Sequence, residues 1–284
     1  MRLYPDQFPQ AVGDLLGIVH YVKVTLGAVK AERVDEAAKG VERVMEAADK
    51  VKPSPLIARI QTAVLGELAS LQAKRSDPAV ALRTARRLEQ LARRHDHPDM
   101  TILAATTQAT AYAALGDAAA VRNQWVEKHK LCSLLPDGVP ADDPFADEMV
   151  EALATCEAAE ETETRAVRSH FETRVAELER GGAPELAETV FYLAAALERA
   201  RDMEGSKTAY RRAIALKTQS APARAPSLDP TAFAMARLGG LERDRESLSK
   251  VRAWLERERG RRPLAAEEER LLAYAKWTAV RETQ

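Results

Sequence analysis

Cysteine is nearly absent from this chain: Cys132 and Cys156 are the only two in 284 residues. Two cysteines cannot staple a chain this long, and with no Cys-x-x-Cys spacing they read as small core or surface residues. A reducing, cytoplasmic setting is the expectation. The first ten residues hold Pro5, Asp6 and Pro9 and do not resemble a secretory leader. An excess of either charge is also missing. With 42 Lys+Arg against 43 Asp+Glu the formal net charge is -1, which removes the global positive field of a protein that grips many phosphates. Nucleic acid is therefore disfavoured as a partner unless a local patch binds it. The longest apolar stretch, Ala11 to Val29, is interrupted by Asp14, His20 and Lys23, short of the roughly 20 apolar residues of a membrane span. No Walker-type phosphate loop, GxGxxG, GxSxG or HExxH occurs, so no cofactor is expected and an enzyme is the minority reading.

Alanine is abundant, and arginine outnumbers lysine 30 to 12, a composition read as GC-rich and bacterial. Apolar residues recur at helical spacing almost throughout. Val34, Ala37, Val41, Val44, Ala48 and Val51 form one stripe, ended by Pro53; Leu56, Ile60, Ala63, Val64, Leu68 and Leu71 form the next. Ser76-Asp77-Pro78 supplies an N-cap followed by a first-turn proline, and Asp96 or His97 before Pro98 is expected to repeat the device. Pair starts fall near Gln10, Pro55, Pro98, Phe145, Pro184 and Pro230. A helical hairpin recurring about every 38 to 48 residues implies stacking. The expected fold is an all-α solenoid of antiparallel hairpins with about 12 to 13 helices. Residues 1–54 would form an N-terminal pair, 55–262 the repeats, with a loop boundary near 136–144, and 263–284 a capping helix. The ends of such a stack need polar outer faces. Glu267, Glu268 and Glu269 opposite Leu271, Leu272, Tyr274 and Trp277 suit the last helix to that role. The segment from Pro144 to Arg180 reads as two helices broken near Thr162 to Thr164. Ile18 to Leu26 is rich in β-branched residues and alternates locally as a strand would, so both helix and strand stay open there.

The run Val190 to Leu197, followed by Ser206, Tyr210 and Ala213, resembles a tetratricopeptide repeat. In that family a small residue on the first helix packs against a small residue on the second, and a large residue one turn later fills the gap; Ala194, Ser206, Tyr210 and Ala213 hold those places. A second match runs through Ala109, Tyr112, Gly116, Val121 and Trp125. Elsewhere the pattern departs: Ala69, Ala81 and Ala85 fit while Gln72 stands where an aromatic is usual, and Gly239, Val251 and Leu255 fit while Glu242 and Glu258 do not. The resemblance covers about residues 55 to 260 and is closest to the long-helix, degenerate arrays of bacterial regulators. It implies a concave groove that binds a peptide or partner helix, hence a scaffold, adaptor or regulator. First-helix residues would line it, which nominates Thr106 and Thr110 in one unit and Phe191, Ala195, Glu198 and Arg199 in another. Of Phe191 and Tyr192, one is expected as an exposed anchor.

Three clusters carry other chemistry. His95-Asp96-His97 with Asp99 offers imidazole and carboxylate of the zinc-ligand type, though an inter-helix loop explains it equally and no metal is assigned. Asp142, Asp143 and Asp147 resemble the aspartate-rich magnesium motif of all-α prenyl and terpene synthases, but Asn123 is the sole asparagine and the second metal motif of terpene synthases is missing. Arg83, Arg86, Arg87, Arg93 and Arg94 share one helical arc opposite Ala81, Ala85, Leu88 and Ala92; Arg83, Arg87 and Arg94 are candidate contacts for an acidic partner, phosphate or RNA. Between Asp142 and Glu163 lie nine acidic residues and no basic one, a surface for a basic partner or for this arginine stripe.

Overall fold

The computed structural model describes residues 8–136, 146–181, 184–219 and 230–281. Every regular element among them is a helix. In order they are α1 (Phe8–Lys30), α2 (Val34–Ala48), α3 (Pro55–Arg75), α4 (Pro78–His95), α5 (Pro98–Ala114), α6 (Ala118–Ser133), α7 (Ala146–Glu157), α8 (Glu161–Gly181), α9 (Leu186–Arg199), α10 (Met203–Gln219), α11 (Pro230–Glu242), α12 (Arg245–Arg259) and α13 (Ala266–Arg281). The chain divides into two compact units, Met1–Gln124 and Trp125–Gln284. The division falls inside α6, upstream of the 136–144 loop, which from residue 137 lies outside the described residues.

In the first unit α1 to α5 pack in succession, and α3 also touches α1 and α5, so the first helices of successive hairpins form one layer. This is the all-α hairpin stacking that the periodicity predicts. Ser54 and Asp77 cap α3 and α4 by accepting from the Ile57 and Ala79 amides, with Pro55 and Pro78 following. His97 does not repeat the device: Asp96 ends α4 in the left-handed region at φ 56°, and the His97 side chain makes no cap. The core is built from Val41, Val44, Leu65, Leu68, Leu88 and Ala104, each large apolar side chain contributing about 1.5–3 kcal/mol by leaving water.

The Ile18 to Leu26 segment is helical, part of α1. Ile18, Thr25 and Ala28 share one side and are buried, and the Thr25 hydroxyl donates to the Tyr21 carbonyl at 2.7 Å. Burial of this stripe outweighs β propensity. Gly40 of α2 lies against Thr25 so closely that a Cβ there would overlap the threonine side chain, so glycine sets the α1 to α2 spacing. The outer side of α1 is not polar as a stack end was expected to be: Leu16 is 63% and Val19 61% exposed.

In the second unit α8 to α13 pack in succession and α9 also touches α11. Phe191, Tyr210 and Phe233 form its centre, with ring centroids 6.0 and 6.4 Å from that of Phe191. Ala194, Ser206 and Ala213 are buried beside them. The break expected near Thr162 to Thr164 falls at residues 158–160. Glu268 does not face outward with its acidic neighbours. It is buried, accepts from the Ala265 amide at 2.8 Å and takes both guanidinium nitrogens of Arg262, reaching back to the start of α13 as in a capping box.

Candidate functional site

An open recess of the first unit lies between α2 and α4 with α3 as its floor, a groove of about 490 Å³. Lys39, Glu42, Arg43 and Glu46 recur along one stripe of α2 and form an exposed wall. Thr84 of α4 stands opposite, and Leu68 and Gln72 of α3 lie between. Arg87 of α4 reaches across to Glu42 at 2.6 Å and neutralises it. The other polar groups are uncommitted. Lys39, Arg43 and Glu46 form no ion pair among the described residues, and the Thr84 hydroxyl makes no hydrogen bond there, whereas Thr62, Thr101, Thr106, Thr110, Thr173 and Thr208 all donate to the carbonyl one turn back. Gln72 is only 4% exposed, and its buried carboxamide oxygen has no partner among the described residues. A buried polar group left unpaired costs about 1–3 kcal/mol, and an incoming donor recovers that.

The arginine stripe is exposed throughout but splits in use. Arg87 turns to α2; Arg86 donates to the Tyr112 hydroxyl of α5 at 2.8 Å; Arg93 pairs with Glu89 at 3.0 Å. Arg83 and Arg94 form no ion pair among the described residues, and Arg83 lies one turn before Arg87 on α4. Thr106 is half-buried and Thr110 exposed, their hydroxyls spent on their own helix.

The residues nominated on α9 are not an open binding surface. Phe191 is 1% exposed and sits in the core; Ala195 is buried. Glu198 accepts from the buried Tyr210 hydroxyl at 2.8 Å and lies 3.5 Å from Arg237, burial raising its carboxyl pKa. Arg199 donates to His129 Nδ1 at 3.0 Å. His129 is fully buried, and its Nε2 lies 2.9 Å from the Tyr192 carbonyl. Donation there and acceptance at Nδ1 describe one neutral tautomer. Burial, reinforced by the Arg199 charge, lowers its pKa to about 3. Lys128 and Glu163 form a buried pair at 3.1 Å beside this cluster. The space bounded by His129, Glu163, Thr164 and Arg199 leaves no volume for a water molecule. Sealed so, these groups act as polar packing. Tyr192 is the half-buried member of its pair with Phe191, under the Lys130 ammonium at 5.6 Å.

The remaining candidates resolve as follows. His97 and Asp99 are buried and engaged, His97 Nδ1 3.0 Å from the Thr62 hydroxyl and Asp99 2.7 Å from Arg59. Burial and the Arg59 charge lower the His97 pKa. His95 is exposed, so the segment is an inter-helix turn. Asp142 and Asp143 lie outside the described residues; Asp147 is exposed in the first turn of α7. No group of three His, Cys, Asp or Glu among the described residues is placed to hold a metal. Cys132 and Cys156, expected as unpaired small residues, are joined by a disulfide between α6 and α7, their Cα atoms 5.8 Å apart, which departs from the reducing setting expected. No described helix is long and apolar enough to cross a membrane.

Sequence reasoning nominated Arg87, which crosses the groove to Glu42, but sought the groove itself on first helices and missed this one, which is walled by second helices. One signal was present: Gln72, the residue out of place in the repeat pattern, is the unpartnered amide on its floor. Compared with known proteins, the chain matches no family model and no curated protein.

Proposed function

We propose that this chain is a tetratricopeptide-like scaffold or adaptor that binds a segment of another protein in the groove between α2 and α4. The reading rests on Gln72, a buried carboxamide whose oxygen has no hydrogen-bond partner among the described residues, on the floor of an open recess. A residue kept there at a cost in stability is one whose partner comes from outside. Leu68 beside it supplies an apolar contact, and Lys39, Arg43 and Thr84 supply polar ones along the rim, the composition of a small recognition site.

Placing a photo-reactive side chain at position 84 in the full chain and irradiating it in the source lysate tests this. The expected result is a crosslinked protein, identified by mass spectrometry, that is absent when the same group is placed at exposed position 252 on α12 and lost on Lys39→Glu/Arg43→Glu. Crosslinking at 252 but not at 84, or crosslinking at 84 that ignores the double substitution, overturns the proposal.

A further inference from the structure

We infer that the segment is extended and carries two acidic residues two positions apart, followed two positions later by a basic one; this rests on the groove reading above. The main chain of an extended segment keeps free amide donors and carbonyl acceptors, which a helix spends on itself. Gln72 and Thr84, each uncommitted and each able to donate and accept, are suited to such a main chain. The wall sets the side-chain order. Lys39 and Arg43, both without an ion pair among the described residues, are four positions apart on α2, a rise of about 6 Å. Alternate residues of an extended chain repeat at about 6.6 Å and face one way, so two carboxylates in positions i and i+2 meet the two cations. Glu46 comes next along the same wall. It repels a third acid and favours a base at i+4. Glu42 does not compete for the cations because Arg87 holds it at 2.6 Å. No aromatic side chain among the described residues lines the groove, so bases have nothing there to stack on, and protein is favoured over single-stranded nucleic acid.

The test is fluorescence anisotropy on the full chain at low salt. The probe is a fluorescein-labelled peptide with the core Glu-Ala-Glu-Ala-Lys between Gly-Ser flanks. Its charge-swapped counterpart, Lys-Ala-Lys-Ala-Glu, and a labelled oligothymidylate of equal length serve for comparison. Expected are binding of the first peptide about tenfold tighter than of the second, reversal of that preference in Lys39→Glu/Arg43→Glu, and about fivefold weakening in Gln72→Leu. If the charge-swapped peptide binds as well while Gln72→Leu still weakens it, the acidic assignment falls and the groove stands. If binding ignores all three substitutions, the groove falls too. Tighter binding of the oligothymidylate, or no saturable binding of either peptide, also overturns the inference.

Discussion

The two units differ in where a buried polar group is left unmatched. In the second, Lys128 is matched to Glu163, Arg199 to His129, Glu198 to Tyr210 and Arg262 to Glu268, most of them out of water. The first engages Asp99 with Arg59, His97 with Thr62 and Gln108 with Glu89, and leaves Gln72 unpaired among the described residues beneath an open groove, whereas the unpaired Ser206 hydroxyl of the second is enclosed in the core. A matched buried pair specifies how helices dock, and an unmatched group beneath an open groove is placed to meet an incoming partner. The comparison can be measured because Trp125, Trp254 and Trp277 all belong to the second unit. Indole fluorescence therefore follows that unit, and far-UV circular dichroism follows both.

The largest effect is expected from Glu163→Leu. It strands the Lys128 ammonium, 5% exposed, at a cost of about 3–5 kcal/mol, whereas Lys128→Met/Glu163→Leu removes both charges and recovers most of it. Urea unfolding followed by fluorescence reads both. A single substitution that costs less than about 1 kcal/mol would break the claim that these charges are sealed. Next comes the disulfide. Cys132→Ser/Cys156→Ser, or a reductant, frees a loop of 24 residues, a loss of about 3 kcal/mol in the chain-entropy picture. A fluorescence transition unmoved by reductant would count against the bond.

Acid sharpens the contrast further. His129 has a pKa lowered to about 3 by burial and by Arg199, against about 6.5 in an unfolded chain. Between those values the unfolded state binds more protons, so stability is full above pH 6.5 and falls as the pH drops towards 3, by up to about 1.4 kcal/mol per unit. The fluorescence-detected midpoint should decline through that window, and His129→Gln should flatten the decline. An equal slope in wild type and variant would show that other groups carry the acid response.

The fold was legible in the sequence because helical periodicity and proline punctuation are local signals. Pair starts read at Pro55, Pro98 and Pro230 coincide with the first residues of α3, α5 and α11. The site was less so. Phe191 looks like a surface anchor only while the α10 and α11 side chains that bury it, Tyr210 and Phe233, are unplaced. Glu198 and Arg199 look available until Tyr210 and His129, far apart in sequence, come to meet them. The disulfide was invisible for the same reason, since spacing alone does not say that α7 brings Cys156 to Cys132. Gln72 was visible as a departure from a pattern, but only the groove beside it gives that departure a meaning.

The smallest expected change in stability is therefore the most informative. Replacing Gln72 by leucine keeps the side chain's bulk, removes an amide that has no hydrogen-bond partner, and adds apolar surface beside Leu68. The first unit should unfold at unchanged or slightly higher urea, a gain of at most about 1 kcal/mol, seen by circular dichroism with fluorescence unaffected. The same substitution should weaken partner binding. Stability held and binding lost together describe a residue retained for recognition, because a packing residue loses stability when replaced. A fall in stability of more than about 1 kcal/mol would place Gln72 among the matched polar groups and erase the difference between the two units.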